Sequence, residues 1–97
     1  MVNTNKNIEK IKLNILNVLK KYDIVRAGIF GSYARGNIKK GSDIDILIEP
    51  SNKMGFAFMK IQFELEKKLN KKVDLLTYKS INPLLRKRIL NEEVRLI

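Results

Sequence analysis

Two short segments of this chain carry residue types that could do chemistry together. The first reads Gly31-Ser32-Tyr33-Ala34-Arg35-Gly36, and the second, after a short basic stretch, Ser42-Asp43-Ile44-Asp45-Ile46-Leu47. Paired carboxylates supply hard oxygen ligands for Mg²⁺, which borrows its remaining ligands from water and substrate phosphates. A Gly-Ser turn lets a backbone approach a phosphate closely. Taken together, the two segments suit a site for a polyphosphate and two divalent cations. Two-metal phosphoryl-transfer sites hold their ions about 3.5–4 Å apart.

The spacing of the aspartates is informative if they lie on a strand. Ile44 to Ile48 is an apolar, β-branched run bounded by Gly41-Ser42 and Pro50-Ser51, which predicts a short strand. Side chains alternate along a strand, so Asp43, Asp45 and Leu47 share one face. At a rise of about 3.3 Å per residue, the two aspartate Cα atoms sit about 6.6 Å apart. The plainer alternative makes Asp43 a turn cap and Asp45 a solvent-facing residue of an edge strand. A third acid, Asp74, lies in the apolar run Val73-Asp74-Leu75-Leu76. An unpaired carboxylate is costly to bury there, unless it reaches the same cations. Its plainer alternative is an edge position facing solvent beside Lys71 and Lys72.

Several elements must position these groups. Ile24 to Phe30 reads as a strand emerging into Gly31-Ser32. Ala34 and Arg35 suit the first turn of a helix that ends at Gly36-Asn37. Free N–H groups at a helix start attract anions, and Ser32 adds a hydroxyl donor. Arg35 could meet phosphate or pair with a site carboxylate, and a structural ion pair is an equal alternative. Lys39 and Lys40, between the two segments, are the lysines best placed for phosphate. Tyr33 is expected only to pack.

The rest of the chain reads as supports. An amphipathic helix is expected over Asn5 to Lys21, with Ile8, Ile11, Ile15, Val18 and Leu19 on one stripe. Another is expected to run to about Asn70 from a cap at Ser51 or Asn52, with Phe58, Ile61, Leu65 and Leu69 as core. Lys71 to Tyr78 reads as the Asp74 strand. Asn82-Pro83 signals a last helix with Leu84, Leu85 and Ile89 turned inward, and Val94 to Ile97 could add a short strand. The order α-β-α-β-α-β-α points to an α/β (α+β) fold with helices packed on a small sheet.

Composition narrows the choices. The 97 residues are expected to form a single domain, residues 1–97, with no room for a helical substrate-binding domain. The acceptor of any transfer would then be positioned by a partner or another subunit. With no Cys or His, thiolate zinc sites and histidine bases are excluded, and acid–base work falls to carboxylates. No apolar run approaches the ~18 residues of a membrane span, and the first residues lack a signal-peptide core. A cytoplasmic location is expected. The net charge of +10 raises nucleic-acid binding as one reading. The bases are not interleaved with aromatics as a stacking platform needs. A lysine-rich surface that attracts triphosphate or an acidic partner is therefore preferred.

The pattern Gly31-Ser32-x-Ala34-Arg35-Gly36-(five residues)-Ser42-Asp43-x-Asp45-Ile46-Leu47 resembles the signature of the minimal nucleotidyltransferases, in the DNA polymerase β-like superfamily. Val73-Asp74-Leu75 resembles the third acidic strand of that superfamily, and the resemblance covers nearly the whole chain. It implies a mixed sheet with the Asp43–Asp45 strand beside the Asp74 strand. It implies that Gly31 and Ser32 contact phosphate and that Asp43 and Asp45 bind metal. It makes Asp74 a metal ligand or the general base at the attacking hydroxyl. It further implies Mg²⁺, two ions, with ATP as substrate and a HEPN-type ribonuclease toxin as partner. The nucleotidyltransferase would be the antitoxin, moving AMP from ATP to a tyrosine of the toxin. Two alternatives remain at this stage. One is a non-catalytic antitoxin that senses nucleotide, and the other is a small basic nucleic-acid-binding protein.

Overall fold

A computed structural model describes residues 6–39 and 41–97. The elements are α1 (Lys6–Leu19), β1 (Ile24–Phe30), α2 (Gly31–Arg35), β2 (Ile44–Pro50), α3 (Ala57–Leu69), β3 (Val73–Thr77), α4 (Pro83–Glu92) and β4 (Val94–Arg95). A single 3₁₀ turn, Tyr78–Ser80, links β3 to α4. The sheet order is β3-β2-β1-β4. β1 runs antiparallel to β2 and to β4, whereas β2 and β3 are parallel. The expected mixed α/β architecture is present, with the short fourth strand at the edge. No helix among the described residues is long and apolar enough to cross a membrane.

The central strand β2 is fully buried on one face and partly covered on the other, which fits its mostly apolar run. Ile44, Ile46 and Ile48 face α1 and α3, where they meet Ala27 and Ile29 of β1 and Val73 and Leu75 of β3. Ile15 and Leu19 of α1 and Ile61 and Leu65 of α3 close this layer. On the opposite face Leu47 joins Phe30, Tyr78, Ile81 and Ile89 in a smaller cluster. Strand alternation puts Asp45 on this second, partly covered face.

Several boundaries differ from the sequence expectation. α3 begins at Ala57, because Ser51 is committed elsewhere. The Ser51 N–H donates to the Asp23 carbonyl at 2.9 Å, and its hydroxyl bonds the Asp23 carboxylate. Gly55 then takes a left-handed turn, with φ 53°, before the helix starts without a side-chain cap at Phe56. In α4 the Asn82 cap is as expected, its side chain accepting from the Leu84 N–H at 2.9 Å. Leu84 and Leu85, however, are exposed by 91% and 45%, and Ile89 is the residue of that trio that packs inward. α4 buries Ile89 against the second sheet face, with Leu90 partly buried beside it. α1 ends at Leu19 and β3 spans Val73–Thr77, both shorter than read, while Asn5 lies outside the described residues.

Candidate active site

β1 delivers the chain into Gly31 at the edge of the second face. Gly31 adopts φ 75°, a conformation that side chains with a Cβ rarely take. A Cβ there would also overlap the Asp45 carboxylate. The glycine is thus required by a close approach to an acidic side chain as well as by its backbone. α2 starts at Gly31 itself, three residues earlier than the sequence suggests. It ends where Gly36, at φ 79°, donates its N–H to the Ser32 carbonyl at 2.9 Å.

Strand register assembles the acids. Asp45 lies opposite Phe30 of β1 and directly beside Asp74 of the parallel neighbour β3. Asp43 sits just before β2, exposed at the rim, and Asp74 is also exposed. The Asp45 carboxyl is pushed up to about 6, first by burial and then by the negative charges of Asp74 and Asp43. A hydrogen bond to Asp74 acts in the same direction, and Arg35 opposes the shift. Like charges that converge without a counter-ion raise a carboxylate pKa in this way. The site therefore carries an excess of negative charge in its hard oxygen donors. Among the described residues, no three acids are grouped closely enough to hold a metal ion by themselves. The direct pairing is Asp45 with Asp74.

A cleft of about 320 Å³ opens beside Asp45. Ser32 and Arg35 line it from α2, and Arg88 and Glu92 line it from α4. Arg35 forms a two-pronged ion pair, Nη1 to Glu92 Oε1 at 3.0 Å and to Oε2 at 3.2 Å. The same Oε1 accepts the Gly31 N–H at 3.2 Å. Of the three roles left open for Arg35, an ion pair is the one observed, and its partner is an acid that the sequence reading did not single out. Lys39 is exposed on the loop after α2 and does not line the cleft, its backbone N–H donating to Ser42 Oγ at 2.9 Å. Lys40 lies outside the described residues. Tyr33 is buried in the main core, as expected.

The model of the polymerase β nucleotidyltransferases matches residues 3–97. The chain belongs to this family. A relative from Methanocaldococcus jannaschii, provisionally named a protein adenylyltransferase, is 52% identical over 89 residues, covering 91% of this chain and 96% of the relative. A solved structure provisionally named a minimal nucleotidyltransferase aligns with TM-score 0.78 and 25% identity, over 95% of both chains. A chain from the complex of tri-AMPylated Shewanella oneidensis HEPN toxin with its MNT antitoxin aligns with TM-score 0.71 and 21% identity. That match covers 92% of this chain and 71% of the other, and it shows the fold.

For a nucleotidyltransferase, the sequence reading missed Glu92 and Arg88. One signal was available for Glu92. It is the last residue of α4, where the helix dipole disfavours negative charge, so an acid there needs a specific cationic partner. Arg88 carried no such signal. It belongs to a run of bases, and only the fold shows that it lines the cleft.

Proposed function

We propose that this nucleotidyltransferase moves AMP from ATP to a side-chain hydroxyl of a HEPN-type ribonuclease toxin, and so acts as its antitoxin. The observation that carries this reading is Asp45, which lines the Gly31-Ser32 cleft and lies in direct strand register with Asp74. The 52% identity to a protein adenylyltransferase favours a protein acceptor, and the toxin–antitoxin structural neighbour favours a HEPN partner. We place the reaction in the cytoplasm and treat residues 1–97 as one catalytic domain.

The acceptor oxygen attacks the α-phosphorus of ATP, its bond to pyrophosphate breaks, and the acceptor proton passes to a base. Asp74 is the best-placed base, being exposed next to Asp45 at the open edge of the acidic pair. Gly31, Ser32 and Arg35 hold the phosphates, and the positive charges of Lys39 and Lys40, which follow them in sequence, favour the same anion. Asp43, Asp45 and Asp74 would hold Mg²⁺ together with the phosphates as further ligands, and the half-buried Asp45 with its acidic neighbours Asp74 and Asp43 suits such an ion. When bound, two ions would lower the pKa of the attacking hydroxyl and neutralise the departing pyrophosphate.

The test is pyrophosphate release from MgATP by the protein copurified with its HEPN partner. One pyrophosphate per modified hydroxyl is expected. MgATP binding with neither pyrophosphate nor modified partner would replace this reading with a non-catalytic nucleotide sensor.

A further inference from the structure

The Glu92 carboxylate stands where the fold offers an anion its best donors. Arg35 gives it two charge-assisted contacts and the Gly31 N–H a third, all within 3.0–3.2 Å. These groups present a planar guanidinium fork and a backbone amide, a donor set that matches a phosphate as well as a carboxylate. Arg88 lines the same cleft and has no ion pair among the described residues. The cleft thus holds two guanidinium groups and two carboxylates, Asp45 and Glu92, of which Glu92 is the one that engages Arg35 directly.

The residue next to Glu92 shows how that anion could leave. Glu93 is deeply buried, with its side chain 4% exposed, and pairs with Arg26 at 3.6 Å and with the Tyr78 hydroxyl. Arg26 stacks on the Tyr78 ring at 4.1 Å. Gly28 has no side chain because Glu93 fills that space. The end of α4 is therefore anchored to the sheet through Glu93, so Glu92, whose side chain is 18% exposed, can turn outward by changing rotamers without moving the helix.

We propose that Glu92 is an internal placeholder for a phosphate group, occupying the Arg35 and Gly31 donors until the polyphosphate tail of the nucleotide displaces it. This rests on the cleft being the nucleotide site, and it adds that the chain tunes its own affinity. The placeholder keeps Arg35 aligned and suppresses capture of stray anions. It also sets a threshold that only a multiply charged tail, aided by Arg88, passes. Selectivity for triphosphates over monophosphates follows.

Titration calorimetry of MgATP, inorganic tripolyphosphate with Mg²⁺, and AMP with wild type, Glu92→Gln and Arg35→Gln tests this. Circular dichroism checks that each variant is folded. Glu92→Gln is expected to bind MgATP and tripolyphosphate about tenfold more tightly, the order expected for removing a competing charge-assisted contact, with AMP unchanged. Arg35→Gln should weaken the first two ligands. If wild type binds MgATP and folded Glu92→Gln binds it equally or more weakly, Glu92 is a positioning residue and the placeholder is wrong. Equal tightening for AMP would also overturn it. If neither protein binds MgATP or tripolyphosphate, both the placeholder and the nucleotide site fail. Binding by Glu92→Gln alone would support both.

Discussion

The two faces of the sheet are built from the same strands and behave differently. On the α1–α3 side, Ile44, Ile46 and Ile48 meet only apolar neighbours and are fully buried. On the α4 side, alternate residues of the same strand are Asp45 and Leu47, and the covering helix leaves Leu84 and Leu85 exposed. One face is saturated with packing, and the other is left half-covered beside a cleft with an acid at its centre. The contrast separates the residues that hold the fold from those available for chemistry, at adjacent positions along one strand.

The comparison can be broken most severely by removing the central acids. Asp43→Asn with Asp45→Asn is expected to reduce AMP transfer to background while leaving the circular dichroism of the protein unchanged. Measured loss of fold in this variant would show that the acids belong to the packing rather than to the reaction. Asp74→Asn is expected to lower transfer by about 10²–10⁴-fold, the usual contribution of a positioned base. MgATP affinity by calorimetry should stay within about tenfold. A parallel collapse of affinity would make Asp74 mainly a metal or nucleotide ligand.

The opposite face should respond in the opposite way. Ile46→Ala is expected to cost about 2–5 kcal/mol of stability in urea unfolding, from lost transfer energy and a residual cavity. Its folded fraction should transfer AMP at the wild-type rate. A large loss of rate in folded protein would mean that the two faces are coupled.

How far the sequence reveals this division depends on whether a residue's partner is local. The alternation along β2 and the Asn82-Pro83 start of α4 depend on neighbours a few residues away, and both are legible. The pairing of Asp45 with Asp74 needed the family resemblance, because parallel register across a crossover helix has no local signal. Glu92 meets Arg35 and Gly31 from the far end of the chain, so composition and period could not link them. Ser51 looked like a helix cap because its competing partner, Asp23, is likewise distant in sequence. Leu84 and Leu85 followed an apolar pattern whose cover is incomplete, and pattern alone does not reveal how much surface a neighbour provides.

A smaller effect sharpens the electrostatic side of the comparison. Because the folded pKa of Asp45 is raised to about 6, its protonated form favours the fold below about pH 4. That contribution is lost as pH rises through about 6. Solvent screening at this partly exposed site limits the effect to about 1 kcal/mol. Asp45→Asn should therefore stabilise the metal-free protein slightly at pH 7 and not at pH 4, as read from Tm. Mn²⁺ should raise the Tm of wild type at pH 7 and leave Asp45→Asn unchanged. A flat wild-type profile without metal would contradict a carboxyl raised by burial and by its acidic neighbours at Asp45.

The most direct test of the central claim is the intact mass of a HEPN partner coexpressed with wild type or with Asp45→Asn. The account predicts a partner carrying one or more adenylyl groups with wild type and an unmodified partner with the variant, although both form the complex. An unmodified partner in both complexes, or equal modification in both, would contradict it.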